Sequence, residues 1–315
     1  MSTSPREWLV DRGYGAGWQL ARALPAGVAE WVFRAGADRA IRRGGAGVAQ
    51  LRKNLARVVP NATSDELDEL VREGMRSYAR YWRETFRLPA MDLDALRSRL
   101  DGQVTGVEHL EAGLAAGRGV ILALPHSGNW EIPGIWLVGH LGRFTTVVER
   151  LRPESLFERF VAYREALGFE IVPLTGGAQA PASVLASRLR ENRVVCLIAD
   201  RDLSTSGVPV TFFGELAQLP AGPAHLAATT GAALIPVGNW YTSDGWGSRA
   251  HPPIYVGDRR QIAAAAQSLA DVFAEDITAH PTDWHMLQPL WFDDLSKRQQ
   301  EVLARASRRA SRDQG

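Results

Sequence analysis

The sequence predicts an α/β protein with a mostly parallel central sheet and helices on both faces. From Gly102 onward, short apolar runs bounded by turn residues alternate with longer segments of helical periodicity. The connections between these segments are short, as in sheets that are built from strand–helix–strand units. The chain has 315 residues, of which 45% are hydrophobic and 23% charged, so it is long enough for one large globular domain or two small ones.

Three regions are predicted along the chain. Residues 1–50 form an N-terminal helical segment, residues 51–292 the α/β domain, and residues 293–315 a basic C-terminal helix or tail. The helical pattern over residues 5–43 breaks at Pro25–Gly27. Tryptophan beside arginine is typical of a helix that lies at a membrane interface, but it equally fits a helical subdomain whose tryptophans pack inward.

A long amphipathic helix opens at Thr63 and Ser64 and ends at Leu88–Pro89. The strands that we predict after it are Val104 to Val107 at an edge, Val120 to Leu124, Phe144 to Val148, Phe169 to Pro173, Arg193 to Ala199 in the centre, Val208 to Phe213, Ala233 to Trp240, and Ile254–Val256 antiparallel to the last. The helices between them are 108–115, the segment after Glu131, Pro153 to about Leu167, Pro181 to about Arg190, Pro223 to about Thr230, and Gln261 to His280. Residues 216–222, LAQLPAG, are predicted to form a loop.

His126 is the first candidate for catalysis. Pro125 cannot donate a ladder hydrogen bond, so the strand before it should end there, and His126 would lie at the carboxyl end where open α/β sheets bind ligands. Glu131 can point back from the following helix towards the imidazole, fix its tautomer and stabilise the imidazolium. A histidine supported in this way can take a proton from a hydroxyl. The alternative is a core histidine with a solvated glutamate at a helix start.

The sequence ADRD, residues 199–202, follows the predicted central strand directly. Charges at the end of a buried strand need partners, so they should face the same crevice as His126. We expect Asp200 to orient the imidazole and Arg201 to bind an anionic group such as a phosphate. A structural ion pair between neighbours is the alternative.

Other polar residues are candidates for binding substrate. Ser127 and Asn129 lie between the histidine and the glutamate, where either can also cap the helix. Glu149 and Arg150 follow the strand predicted at Phe144 to Val148, and Arg164 lies on the next helix. One or two of these arginines could grip a phosphate, although a surface salt bridge is the ordinary role of any single one.

Composition narrows the classes of function. The net charge of +1 does not suggest a nucleic-acid partner, and the single Cys196 excludes an intramolecular disulfide. No metal site is predicted, since the other histidines (His109, His140, His225, His251, His280 and His285) lack metal-ligand spacing. We see no secretory signal and no uninterrupted apolar run of about 20 residues. The basic tail from Lys297 to Asp313 can rest on anionic lipid or fray in solvent.

With these motifs, the chain resembles the bacterial lipid A and lysophospholipid acyltransferase family, and within it the actinobacterial phosphatidylinositol mannoside acyltransferases. The resemblance covers about residues 50–292. It rests on a set of segments in this order: NLARVVP, YWRETFRLP, LPHSGNWE, ADRD, VTFFGE, LPAGPAHLA and PTDWHMLQPLW. The fold that it implies is a glycerol-phosphate-acyltransferase-like α/β domain.

The resemblance also implies a function. An acyl chain would move from acyl-CoA, or acyl carrier protein, to a hydroxyl of a glycolipid at the cytoplasmic face of the membrane. His126 would be the general base, Glu131 the acidic motif partner, and Asp200 the supporting carboxylate where relatives often have glutamate. Arg164 and Arg201 resemble charged site positions of the family. Acyl-CoA is then a co-substrate, no cofactor is needed, and the enzyme attaches peripherally through residues 5–43 instead of the N-terminal span of many relatives.

The implied mechanism is direct attack on the thioester without an acyl-enzyme, because Ser127 is not in a nucleophile-elbow context and Cys196 lies in mid-strand. Backbone amides after His126 are the expected oxyanion donors. The aromatic helix at 63–88 and Trp130–Trp136 are the expected walls of an acyl channel. A thioesterase, a glycerol-phosphate acyltransferase and a non-catalytic lipid-binding protein are the alternatives.

Overall fold

The computed structural model describes residues 17–202, 207–297 and 300–301. Its main sheet has seven strands in the order β1-β9-β8-β2-β5-β3-β4, and β6 and β7 form a separate hairpin. The strands are β1 (Val104–Thr105), β2 (Val120–Leu124), β3 (Phe144–Val148), β4 (Phe169–Pro173), β5 (Val194–Ile198), β6 (Val208–Phe212), β7 (Glu215–Leu219), β8 (Ala233–Tyr241) and β9 (Trp246–Ala250). Neighbours in the main sheet are parallel except for β8 and β9. The predicted fold class is therefore confirmed.

Helices connect the strands and cover both faces of the sheet. In chain order they are α1 (residues 17–23), α2 (Ala26–Arg43), α3 (Ala46–Val58), α4 (Ser64–Arg87), α5 (Leu93–Leu100), α6 (Val107–Ala115), α7 (Glu131–Leu141), α8 (Glu154–Ala166), α9 (Pro181–Arg190), α10 (Gly222–Thr230) and α11 (Ile262–Ala279). Short 3-10 turns lie at Leu88–Ala90, Arg259–Gln261, Pro281–Asp283 and Phe292–Asp294.

The alternation of side chains along β2 separates two cores. Ile121 and Ala123 face one core, which α9, α10 and α11 cover. Leu122 and Leu124 face the other, which α5 to α8 cover. Every residue of β2 is buried, as expected for a strand between two helical layers. The carboxyl end of this strand consequently opens at the boundary between the two cores.

The long helix α4 begins where the sequence predicted, and a capping box marks its start. Thr63 Oγ1 accepts from the backbone amide of Glu66, and the Glu66 carboxylate accepts from the amide of Thr63. The helix packs on α2 and α3 through a small apolar cluster that includes Ala37, Leu55 and Met75. It thereby fixes the N-terminal helices to the α/β domain.

Two of the N-terminal tryptophans differ in their burial. Trp18 on α1 is buried against Phe86 and Phe160, with ring centroids 5.3 and 5.0 Å away. Trp31 on α2 is 70% exposed. The predicted break between helices occurs at Pro25, while residues 5–16 and the tail beyond 301 lie outside the described residues. Within the described chain, no helix is long and apolar enough to span a membrane.

The prediction of a loop over residues 216–222 was wrong, because β7 turns back on β6 there. The turn residues Phe213 and Gly214 have φ angles of 50° and 80°, as a two-residue type I′ hairpin requires. Phenylalanine seldom adopts a positive φ, so this turn has no recognisable signal in the sequence. Ala217 and Leu219 are buried by the new strand.

The antiparallel partner of β8 was also misplaced. The partner is β9, at Trp246–Ala250, whereas Ile254 forms a single bridge with Leu234. The Trp240 indole packs over Gly247, where a Cβ would lie 2.3 Å from the ring. The hairpin thus depends on a glycine and a ring contact rather than on an apolar run.

Candidate active site

Two neighbouring strand ends bring His126 and Asp200 together. In the parallel register of β2 and β5, Leu124 is opposite Ile198, and the two polar residues each lie two positions further on. Asp200 Oδ1 is 2.5 Å from His126 Nδ1, and Asp200 Oδ2 accepts from the His126 backbone amide at 2.9 Å. The expected contact between this carboxylate and the imidazole is present, so the shorter aspartate side chain reaches the ring.

The surroundings keep Asp200 ionised. Burial alone would raise the pKa of this fully buried carboxyl. The charge of His126, hydrogen bonds from its ring and backbone, and a 2.9 Å bond from the Trp284 indole Nε1 outweigh burial and hold the pKa below its ordinary value. A carboxylate here fixes the proton of the imidazole on Nδ1.

The free edge of the imidazole faces solvent. The side chain of His126 is 42% exposed, and no described residue hydrogen-bonds its Nε2 atom. With Nδ1 protonated, Nε2 carries the lone pair and can accept a proton from an incoming hydroxyl.

Glu131 does not contact the imidazole among the described residues. Its fully buried carboxylate accepts from Arg164 Nε at 2.8 Å on Oε1, and from the Tyr163 hydroxyl at 3.0 Å on Oε2. The expectation that Glu131 points back to His126 was therefore wrong. Helix α8 offers it a guanidinium and a phenol, and a buried carboxylate is stabilised by such charged and hydrogen-bonding partners.

Arg164 is committed to this pair. Its Nη2 atom also lies 2.8 Å from Glu131 Oε1, and its guanidinium sits 5.1 Å from the centroid of the Trp130 ring. Burial opposes a charged arginine, but the negative charge of Glu131 outweighs it and raises the pKa of Arg164. Burial and the same negative charge raise the pKa of Tyr163 well above its ordinary value, so the phenol stays protonated and donates.

Asn129 caps α7 rather than presenting a free amide. Its Oδ1 accepts from the Glu131 backbone amide at 3.1 Å, and its Nδ2 donates to Glu84 at 3.0 Å. This fits the capping role that the sequence left open. Ser127 is buried as well, and its Oγ has no hydrogen-bond partner among the described residues.

Glu84 was not predicted as a site residue, because the aromatic helix that carries it was expected to line an acyl channel. Its buried carboxylate accepts from Arg80 Nε at 2.8 Å, from Asn129, and from the Trp246 indole at 3.0 Å. The four-residue spacing of Arg80 and Glu84 on α4 was a visible but weak signal. The glutamate ties α4 to the loop that carries His126.

The segment after α11 forms backbone hydrogen bonds with the loop that carries His126. The Gly128 amide donates to the Asp283 carbonyl at 2.8 Å, and the His285 amide donates to the His126 carbonyl at 2.8 Å. The Ser127 amide donates to the Pro125 carbonyl at 2.8 Å. The backbone amides of Ser127 and Gly128 are thus already engaged, and the prediction that amides after His126 serve as oxyanion donors does not hold for these two.

His285 is a neutral histidine beside the catalytic candidate. Ser77 Oγ donates to the Asp283 carboxylate at 2.7 Å, so it accepts from His285 Nε2, which is 2.9 Å away. Burial, with the positive charge of His126 nearby, lowers the pKa of His285 to about 3. His285 was predicted only to have no metal role. Its position beside His126 is what distinguishes it from the other histidines of that group.

The remaining charged candidates, Glu149, Arg150 and Arg201, differ in their hydrogen-bond and ion-pair partners. Arg150 binds Glu154 through two bonds of 2.8 and 2.6 Å and donates to the carbonyls of Thr175 and Gly176, so it has the structural role that the salt-bridge alternative predicted. Glu149 is exposed. Arg201 is half-buried directly after Asp200 and has no hydrogen bond or ion pair to a described residue.

An apolar cavity opens next to Trp130, in the loop that carries His126. It extends from β2 and α7 to β8, β9 and α6. The expected wall formed by Trp130 and Trp136 is present, but helix α4 does not line it. Cys196 is part of the wall, and burial raises the pKa of its thiol, so it is no thiolate nucleophile. Across the described ranges, no three His, Cys, Asp or Glu side chains are grouped to hold a metal.

Over residues 2–292, the sequence matches the family described as bacterial lipid A biosynthesis acyltransferase. The chain belongs to this family. The resemblance that the motifs indicated is confirmed, and family membership identifies the protein as an acyltransferase.

Three curated members of this acyltransferase family are similar over nearly the whole chain. A protein of Mycolicibacterium smegmatis (strain ATCC 700084 / mc(2)155), named phosphatidylinositol mannoside acyltransferase, is 56% identical over 288 residues, which are 91% of this chain and 93% of that protein. Two proteins of the same name from Mycobacterium tuberculosis, strains CDC 1551 / Oshkosh and H37Rv, are 52% identical over 296 residues, which are 93% of this chain and 92% of theirs.

Proposed function

We propose that the protein transfers a fatty acyl chain, palmitoyl-like in length, from acyl-CoA to a mannose hydroxyl of a phosphatidylinositol mannoside. The acceptor is suggested by the names of relatives that are 52–56% identical over more than nine tenths of the chain. The observation that carries the chemistry is the pair of Asp200 and His126, whose Nε2 has no described partner, after the strand whose Leu122 and Leu124 line an apolar cavity.

The first half of the reaction is attack by the acceptor. His126 Nε2 takes the proton of the mannose hydroxyl as its oxygen bonds to the thioester carbonyl carbon. The π electrons of the carbonyl move to its oxygen and give a tetrahedral oxyanion. Asp200 remains ionised throughout and stabilises the imidazolium that has formed.

The second half is collapse of this intermediate. The carbonyl re-forms, the carbon–sulfur bond breaks, and the CoA thiolate takes the proton from His126 Nε2. The products are a mannose ester and free CoA, and the histidine is neutral again. No covalent enzyme intermediate is required, in keeping with the buried hydroxyl of Ser127 and the protonated thiol of Cys196.

The charged and apolar surroundings have separate tasks in this proposal. The cavity receives the acyl chain, for which its aliphatic and aromatic wall is suited. Arg201 binds a phosphate, either of CoA or of the phosphoinositol headgroup, since its guanidinium is unpaired among the described residues. The ion pair between Arg164 and Glu131 fixes the start of α7, next to the loop that carries His126.

The enzyme works at the cytoplasmic face of the cell membrane as a peripheral protein. Its acceptor is a membrane lipid, and helices α1 and α2 expose a group of apolar side chains: Leu20, Val28, Trp31 and Val32. Acyl-CoA reaches this face from the cytosol. An exposed tryptophan is well suited to the headgroup region.

Release of free CoA from palmitoyl-CoA tests the proposal. Purified protein would be assayed with and without phosphatidylinositol mannosides, beside the His126→Ala variant. We expect release that depends on the glycolipid and is lost in the variant. Release that is equally fast without glycolipid would identify a thioesterase, and transfer to glycerol phosphate instead would identify that alternative acceptor. Absence of release with tight lipid binding would identify a lipid-binding protein.

A further inference from the structure

Asn239 lies on β8, which flanks β2 on the side opposite β5 and Asp200. Strand β8 is parallel to β2, with Ala123 opposite Pro236. This pairing ends one residue before the end of β2, and Asn239 lies three residues further along β8. The carboxyl ends of β5, β2 and β8 lie side by side at one edge of the sheet, where Asp200 and His126 follow their strands and Asn239 lies two residues before the end of β8.

The loop of His126 passes directly over Asn239. A Cβ built on Gly128 would lie 3.0 Å from both the carbonyl carbon and the carbonyl oxygen of Asn239. The side chain of Asn239 lines the apolar cavity, together with Val237 two residues earlier on the same face of β8. The amide is thus part of the cavity wall, on the residue over which the loop of His126 passes.

The amide of Asn239 is only half satisfied. Its Oδ1 accepts from the Ser248 hydroxyl at 2.8 Å, but its Nδ2 has no hydrogen-bond partner among the described residues, although the residue is only 4% exposed. A buried donor without a partner is costly, and a ligand that pairs with it removes the cost. Apart from Asn239 and Ser248, the cavity wall consists of aliphatic and aromatic side chains, Gly134 and Cys196.

The acyl donor of the proposed function offers one acceptor at this place. A saturated chain has none, whereas the thioester carbonyl must lie next to His126 for attack to occur. The backbone amides of Ser127 and Gly128 cannot fill this role without breaking the bonds that they make to carbonyls. The side-chain amide of Asn239 is a donor without a described partner in the cavity wall under this loop.

We propose that Asn239 Nδ2 donates a hydrogen bond to the carbonyl oxygen of the acyl group and strengthens it as that oxygen becomes negative. This inference rests on the proposed function and adds the oxyanion donor to it. Hydrogen bonds to a charged oxygen are roughly twice as strong as those to a neutral one. Replacing Asn239 should accordingly weaken substrate binding slightly and slow turnover by on the order of 100-fold.

Binding of two ligands separates the carbonyl contact from the chain contact. Palmitoyl-CoA carries the carbonyl, and S-hexadecyl-CoA, its thioether counterpart, lacks it. Both would be titrated into protein that carries His126→Ala, so that no turnover occurs. We expect Asn239→Leu to weaken palmitoyl-CoA binding by about threefold to tenfold and to leave thioether binding unchanged.

Val237→Ala is the matched control, because it alters the same cavity wall without removing a donor. It should weaken both ligands by the same factor. Asn239→Val provides a second removal of the donor if the leucine variant does not fold. In the background with an intact His126, kcat should fall on the order of 100-fold for both Asn239 variants, while KM for palmitoyl-CoA should rise by no more than about tenfold.

The possible failures are distinct. Equal loss of both ligands in the Asn239 variants, or no loss of either, would overturn the carbonyl contact alone. If the parent protein binds neither palmitoyl-CoA nor its thioether, the acyl-CoA donor of the proposed function is wrong, and the inference falls with it.

Discussion

Arg164 holds the carboxylate of Glu131 through two 2.8 Å contacts, although the motif spacing suggested that this glutamate would support His126. Asp200 provides that support instead. The two carboxylates therefore have different tasks, since one orients the base and the other fixes the start of α7 to α8.

Removing one partner of the Glu131–Arg164 pair should destabilise the fold. Arg164→Met leaves a fully buried carboxylate without its cation, and we expect a loss of about 3–5 kcal/mol in the free energy of unfolding. Adding Glu131→Gln to Arg164→Met should restore much of that loss, because the remaining amide is neutral. Urea denaturation of both variants measures the difference. A double variant as unstable as Arg164→Met would show that the charge pair is not the cause.

The close approach of Gly128 to β8 leads to a second prediction. Gly128→Ala places a methyl group 3.0 Å from the Asn239 carbonyl at a φ of 58°, so the loop that carries His126 must shift. Gly44→Ala is the control, because Gly44 has a similar φ of 62° but open space around it. Both should lose about 1–2 kcal/mol of stability from backbone strain. Only Gly128→Ala should also lose transferase activity, and equal activity in the two variants would contradict the account.

These two contacts also show which parts of the fold and the site can be predicted from the sequence. The apolar runs and their bounding prolines located β2, β3, β4 and β5, and the rule that parallel strands end at one edge brought Asp200 to His126. The partner of Glu131 depends on the rotation of α8 about its axis, which local periodicity does not give. Asn239 was not predicted as a site residue, because β8 lies next to β2 only through a crossover from a distant part of the chain. Turns such as Phe213–Gly214 run against residue preferences and leave no local signal.

The neutral state of His285 predicts a pH dependence of stability. Its pKa is lowered to about 3 in the folded protein, whereas an unfolded histidine has a pKa of about 6.5. Between these values the unfolded chain binds the extra proton, so this contribution to stability is complete above pH 6.5 and is lost as the pH falls towards 3.

His285→Gln tests this dependence, because glutamine can still donate to Ser77 and does not titrate. Between pH 7 and pH 5, the wild-type protein should lose at most about 2 kcal/mol more unfolding free energy than the variant. Chemical denaturation at the two pH values gives the comparison. Parallel losses in both proteins would mean that His285 titrates normally in the folded state.

The exposed apolar group on α1 and α2 predicts binding to membranes. Trp31→Ala removes the large side chain that is 70% exposed, and it should reduce co-sedimentation with vesicles that contain anionic lipid by several-fold. Tyr255→Ala is the control, since Tyr255 is 82% exposed on the loop that follows β9. An equal effect of both substitutions, or none of Trp31→Ala, would argue against α2 as the membrane contact.

The measurement that tests the central claim most directly is a single-turnover transfer of labelled palmitate from palmitoyl-CoA to phosphatidylinositol mannoside by the wild-type protein and by Asp200→Asn. If the buried carboxylate orients His126 as the base, the variant should bind palmitoyl-CoA normally but transfer the label about 10³–10⁴-fold more slowly. In the wild-type protein, the label should pass to the glycolipid without becoming attached to the protein. Unchanged transfer by Asp200→Asn, or label trapped on the protein, would contradict direct transfer by an Asp200-supported His126.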